Sequence, residues 1–148
     1  MSDRDTGLRL LAQDAEDLKI ISAAAQDAVA KLGDFAFDAR DRSFTLGLNR
    51  YRWERGERTK ERIRALLRFD GVLRVRSQNL RREAEDAVVE LLAVEFDPAP
   101  GEENPGGVVR LILAGGGEIR LEVEQLEARL MDISPAWPTR RRPDHEKA

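Results

Sequence analysis

The sequence predicts an α+β protein, in which an N-terminal helix packs against a curved, mainly antiparallel β-sheet. Two observations carry this. Leu18, Ile21, Ala25, Ala28, Val29 and Leu32 recur at helical spacing and form one apolar stripe. From Asp34 onward the apolar period becomes two, and short polar or glycine-containing segments punctuate it. The sheet reads as a meander of hairpins, with barrel-like closure as its extreme form.

The elements follow in order. Leu8, Leu10 and Leu11 make a short apolar start, read as an edge strand. "DAEDLKIISAAAQDAVAKLG" reads as one helix, capped by Asp14, with Glu16 and Asp17 in its first turn and Gly33 as its stop. "FAFDARDRSFTLGL" reads as a hairpin turning near Arg40 and Asp41. "RIRALLRFDGVLRVRS" reads as a second hairpin with Asp70-Gly71 at its turn. "AVVELLAVEF" is apolar on both faces, as a central strand would be, and "DPAPGEENPGG" is a loop by composition. "VVRLILAGGGEIRLEVE" is a third hairpin turning at Gly115 to Gly117. "QLEARLMDI" fits a helix or a bulged strand. A shift of 46 residues lays segment 43–80 on 89–126 without a gap, which suggests a faint internal repeat.

The chain has 148 residues, 41% hydrophobic and 36% charged, which suits a globular protein with a real core. We expect residues 1–7 to be disordered, 8–138 to form one domain, and 139–148 to be a basic, mobile tail. Cysteine is absent, which excludes thiol catalysis and fits a reducing compartment. The N-terminus lacks a signal-peptide pattern and no stretch is apolar enough to span a membrane, so we expect a cytoplasmic protein.

The net charge of −3 is unevenly spread. Residues 40–82 hold 14 basic against 5 acidic residues, a balance of +9, and residues 83–139 hold 3 against 13, a balance of −10. Either the halves pair their charges across strands, or the basic part faces an anionic partner. On a strand from Arg62 to Phe69, Ile63, Ala65, Leu67 and Phe69 point inward and Arg62, Arg64 and Arg68 outward. On the returning strand Leu73 and Val75 point inward and Arg74 and Arg76 outward. Five arginines would then share one wet face, close to Tyr51 and Trp53. The tail "PAWPTRRRP" sets Trp137 between prolines beside Arg140, Arg141 and Arg142.

No catalytic constellation is visible. His145 is the only histidine, which excludes a Ser/His/Asp triad and a histidine metal cluster. "AGGGE" lacks the Lys-Ser/Thr of a phosphate loop and leads into a strand. No cofactor or metal site is expected. Three readings remain. The first is a non-enzymatic protein-interaction module, with a contact surface drawn from Tyr51, Trp53, Arg62, Arg64, Arg68, Arg74, Arg76, Trp137, Arg140, Arg141 and Arg142. The second is a binder of RNA or another polyanion through the same arginine-rich face. The third is a small-molecule binder or enzyme using a cavity between helix and sheet. The sequence identifies no partner and no oligomeric state.

"LLAQDAEDLKIISAAAQDAV", "FDGVLRVRS", "GGGEIRLEVE" and "PAWPTRRRPDH", in that order, resemble a bacterial family known as domain of unknown function 2948. The resemblance covers about residues 8 to 145. It implies small, cytoplasmic, single-domain bacterial proteins without an assigned activity, and it transfers no catalytic or binding residue. It also implies that "PAWPTRRRP" belongs with the folded chain.

Overall fold

The computed structural model describes residues 7–81, 84–140 and 142–143. Among these, eleven strands form one antiparallel sheet, and one helix packs against it. The sheet is not closed into a barrel. Its main path runs β1 (Arg9–Ala12), β10 (Ala128–Asp132), β5 (Glu61–Asp70), β4 (Ser43–Tyr51), β2 (Ala28–Lys31), β7 (Val88–Pro98), β8 (Gly107–Leu113), β9 (Glu118–Val123) and β6 (Val72–Gln78), with β3 (Phe35–Asp38) added on β4 and β11 (Trp137–Pro138) on β5.

The edge strand near the N-terminus is β1 (Arg9–Ala12), paired with β10 (Ala128–Asp132). The ambiguous segment is therefore a strand. Helix α1 covers Ala15–Ala24 only. Asp14 caps it as expected, its side chain accepting from Asp17 N at 2.8 Å. The second half of the predicted helix is instead β2 (Ala28–Lys31), followed by a 3-10 turn over Leu32–Asp34. Ala28, Val29 and Ala30 suit both periods, and tertiary pairing decides between them. As a strand, β2 bonds to β4 (Ser43–Tyr51) on one side and to β7 (Val88–Pro98) on the other. Asp27 makes the break, with φ of 63° in the left-handed region, which aspartate tolerates better than most residues. Gly33 is thus not a helix stop. Its bare Cα admits the backbone of Glu85, whose oxygen would lie 3.0 Å from an added Cβ.

The first hairpin is present, as β3 (Phe35–Asp38) and β4. The second is not. β5 (Glu61–Asp70) pairs with β4, β10 and β11 (Trp137–Pro138), whereas β6 (Val72–Gln78) pairs with β9 (Glu118–Val123). Asp70-Gly71 is a corner at which the chain leaves one part of the sheet for another. Three backbone bonds to distant segments hold it: Asp70 N to Glu127 O, Val72 N to Arg42 O and Glu124 N to Gly71 O. Leu73 faces outward rather than into the core. The β6–β9 register slips between Val72 and Arg74, and this bulge turns Leu73 outward, leaving it 52% exposed. The third hairpin is present, as β8 (Gly107–Leu113) and β9, and β7 lies inside the sheet between β2 and β8. The 46-residue shift lays Glu61 on Gly107 and Val72 on Glu118, the first residues of β5, β8, β6 and β9. The two segments thus share element order but not pairing.

One apolar core fills the concave side. Leu18 and Ile21 of α1 belong to one buried cluster with Leu46, Leu48, Leu67, Leu111 and Leu121. The predicted inward set of β5 is correct, with Ile63, Ala65, Leu67 and Phe69 all at most 1% exposed.

Gly71 has φ of 71°, and an added Cβ would meet Glu124 Cγ at 3.0 Å. A Gly71→Ala substitution should cost about 1–2 kcal/mol for the left-handed backbone alone. Urea unfolding of the two proteins checks this, with a lower midpoint expected for the variant.

Candidate interaction surface

The stretch around Tyr51 is organised by charge burial. Residues 44, 46, 48 and 50 of β4 share its core face, so Arg50 enters the protein where a leucine would serve. Its side chain is fully buried. Nε and Nη2 donate to Asp132 Oδ1 and Oδ2 at 2.8 and 2.7 Å. Nη1 and Nη2 donate to Glu54 Oε1 and Oε2 at 2.9 and 2.7 Å. Asp132 Oδ2 also accepts from Leu8 N at 2.7 Å. Burial opposes the Arg50 charge, but the bonds and charges of Asp132 and Glu54 outweigh it and raise the Arg50 pKa. Burial likewise pushes the Glu54 carboxyl up, and Arg50 overcomes this and holds it below its ordinary value. Arg52, also buried, donates to Glu61 Oε1 at 3.0 Å.

Tyr51 and Trp53 meet edge-to-face, with ring centroids 4.8 Å apart. Tyr51 is fully buried, and its hydroxyl has no hydrogen-bond partner among the described residues. Trp53 Nε1 donates to Gln26 O at 3.0 Å, just past the end of α1. The Arg142 guanidinium lies 5.0 Å from the Trp53 ring centre and 3.8 Å from the Glu57 carboxylate. Trp137 stands beside Arg62 in the β11–β5 register, and Thr139 N donates to Lys60 O. Arg140 is exposed, and Arg141 lies outside the described residues.

The arginines of the strip do not form one field. Arg62 donates to Asn49 O, and burial lowers its pKa against the charges of Glu90 and Asp27. Arg64 lies 3.1 Å from Asp34, its guanidinium crossing over Gly47, where a side chain would collide with it. Arg68 is held by Asp41 and Asp70 at 3.0 and 2.9 Å, which raise its pKa. Arg74 and Arg76 stand apart on β6, sharing Glu122 at 4.0 and 3.6 Å. Glu95 serves Arg110, and Glu124 serves Arg42. The basic middle and acidic second half of the chain thus meet at Arg42–Glu124, Arg50–Asp132 and Arg74/Arg76–Glu122, while Arg68 and Arg110 are neutralised within their own segments.

What the structure leaves open is an apolar slot. β3 bonds only to β4 and β6 only to β9 among the described residues, so two unpaired strand edges flank a gap. A cavity of about 190 Å³ lies in it, walled by Phe35, Phe37, Phe44, Val75, Leu80 and Ile119. Val72 N to Arg42 O closes one end, and Gly33 N to Glu85 O closes the other. Ser77 is the polar side chain in the slot. Wider grooves occur beside α1 (about 490 Å³) and on the outer face of β8, β9 and β6 (about 770 Å³). Their charged side chains are spent within the chain, as in Lys19–Glu16, Arg110–Asp97 and Arg120–Glu118.

Sequence reasoning missed the slot. Its one local signal is the alternation of Phe35 and Phe37, and its other wall comes from β6, which was assigned to the wrong neighbour. Among the described residues no group of acidic or histidine side chains is placed to hold a metal, and no helix is long and apolar enough to cross a membrane.

Residues 8–145 match the model of a family described as Protein of unknown function (DUF2948). The chain belongs to this family. A search among curated proteins finds no match. The match covers β1 to β11, so the slot and the Arg50 cluster both lie within the DUF2948 region.

Two predictions follow from the Arg50 cluster. Asp132→Ala leaves a buried guanidinium short of one carboxylate and should destabilise by about 3–5 kcal/mol, measured by urea unfolding. The second concerns acid. The folded Glu54 pKa lies below the ordinary 4.5, so its contribution is complete above that value and is lost as pH falls through the folded pKa. Unfolding free energy measured down a pH series should drop in that window, and the drop should shrink in Glu54→Gln.

Proposed function

We propose that this DUF2948 protein is a non-enzymatic protein-interaction module whose contact site is the slot between β3 and β6. One observation carries the reading: two unpaired strand edges flank an apolar cavity with no intramolecular occupant among the described residues. An unpaired edge offers backbone donors and acceptors to another chain, and a compact pocket offers a place for an anchor side chain. At about 190 Å³ the slot is smaller than the roughly 300–1,000 Å³ of typical small-molecule sites, which favours a side chain over a free metabolite. The close pairing of Arg64 with Asp34 and of Arg68 with Asp41 and Asp70 weakens the polyanion reading, because it breaks the strip into separate neutralised pairs rather than one basic field. A cytoplasmic location in bacteria is part of the same proposal.

The test is site-specific photocrosslinking in the native cell. A benzophenone side chain replaces Phe37, which is 39% exposed at the slot, or Ile20, which is 57% exposed on α1. A discrete crosslinked species is expected from position 37 alone. It should vanish when Ser77→Trp fills the slot in a protein that still unfolds cooperatively. Indistinguishable patterns from the two positions would overturn the proposal.

A further inference from the structure

We infer that the slot takes one aromatic side chain from an extended, acidic segment of a protein partner, laid along the unpaired edge of β6. This rests on the slot being an interaction site and adds the chemistry of what enters it. Three features point the same way. Backbone groups on the open side of β6 select an extended chain, because only a strand presents complementary groups at matching intervals. The walls then select the side chain. Phe35, Phe37 and Phe44 offer ring faces and edges, and about 190 Å³ is the scale of one aromatic residue rather than two.

Charge selects the rest. Strand alternation sends Val75 and Ser77 into the slot and Arg74 and Arg76 to the outer face. The two arginines are 59% and 64% exposed, and they share one carboxylate, Glu122, at 4.0 and 3.6 Å. Such open pairs hold their partners weakly, so a second carboxylate can displace or join Glu122 at little cost. On the opposite rim, Asp38 Oδ1 accepts from Arg40 N and Asp41 N. A strand alternating acidic and apolar residues fits both faces at once. Its carboxylates meet Arg74 and Arg76, and its central aromatic residue enters beside Ser77. The Ser77 hydroxyl gives a tyrosine O–H or tryptophan N–H something to bond.

The test is fluorescence anisotropy with three labelled heptapeptides. The first is Glu-Val-Glu-Trp-Glu-Val-Glu. The second carries lysine at every glutamate, and the third carries alanine for tryptophan. The acidic tryptophan peptide should bind saturably and about tenfold or more tighter than either of the others. The double substitution Arg74→Glu, Arg76→Glu should reverse the preference toward the lysine peptide, and Ser77→Trp should abolish binding. Thermal unfolding of each variant confirms that it is folded before it is scored. Equal affinity for the acidic and lysine peptides, or no saturable binding of the acidic one, overturns the acidic-segment inference. Photocrosslinking at Phe37 still judges the interaction reading separately.

Discussion

Arg50 is the constraint around which one end of the molecule is arranged. A guanidinium on the core face of a strand is tolerable only if its donors are met, since an isolated buried charge is prohibitively costly. Asp132 and Glu54 meet them in two bidentate pairs. Asp132 belongs to β10, Glu54 to the turn after β4, and Leu8 N joins from the start of β1. The Arg50–Asp132–Glu54 cluster therefore fixes where β10, the residue before β1 and the turn after β4 converge. Replacing the cluster with apolar residues could pack as well, but it would lose the geometric demand that those three segments meet in one register.

Much of the fold was legible from local pattern. The Asp14 cap, the alternation of Ile63, Ala65, Leu67 and Phe69, and the glycine turn of the β8–β9 hairpin each follow from short-range chemistry. The errors share a cause. Ala28 to Leu32 satisfies helical and strand periods alike, and only the presence of β4 and β7 on either side selects the strand. Asp-Gly at 70–71 favours a tight turn, but β10 and β9 claim β5 and β6 as partners, and neither claim is visible near residue 70. The outward arginines were placed on the correct faces. Arg68 has one partner, Asp70, two residues away, but Asp34 of Arg64 and Glu122 of Arg74 lie 30 and 48 residues away, so no local reading could pair those. The slot was illegible for the same reason, because its walls come from strands that adjoin no common neighbour.

The sheet also manages its own exposure unevenly. β7 runs past the end of β2, yet its further edge is covered in part by α1, where Ser22 Oγ accepts from Val94 N, and it ends in Pro98. The edge of β5 is covered by β10 and then by β11, with Ser134 Oγ accepting from Arg64 N between them. Among the described residues β3 and β6 receive no such cover. Charged side chains on the outer face of β6 would keep copies of the protein from pairing with one another there, while a chain of opposite sign would not be repelled.

The Arg50–Asp132 pair has a consequence for synthesis. The two residues are separated by 82 positions. At about 5–20 residues per second, a ribosome would deliver Arg50 roughly 4–16 s before its carboxylate. During that interval Arg50 has Glu54 within reach but not Asp132, and the edge of β5 that β10 covers lacks that partner. The growing chain must keep Arg50 hydrated and that edge uncommitted until β10 emerges. Completion of this end of the fold is thus tied to β10, and a chain truncated before it would lack Asp132 beside its buried arginine.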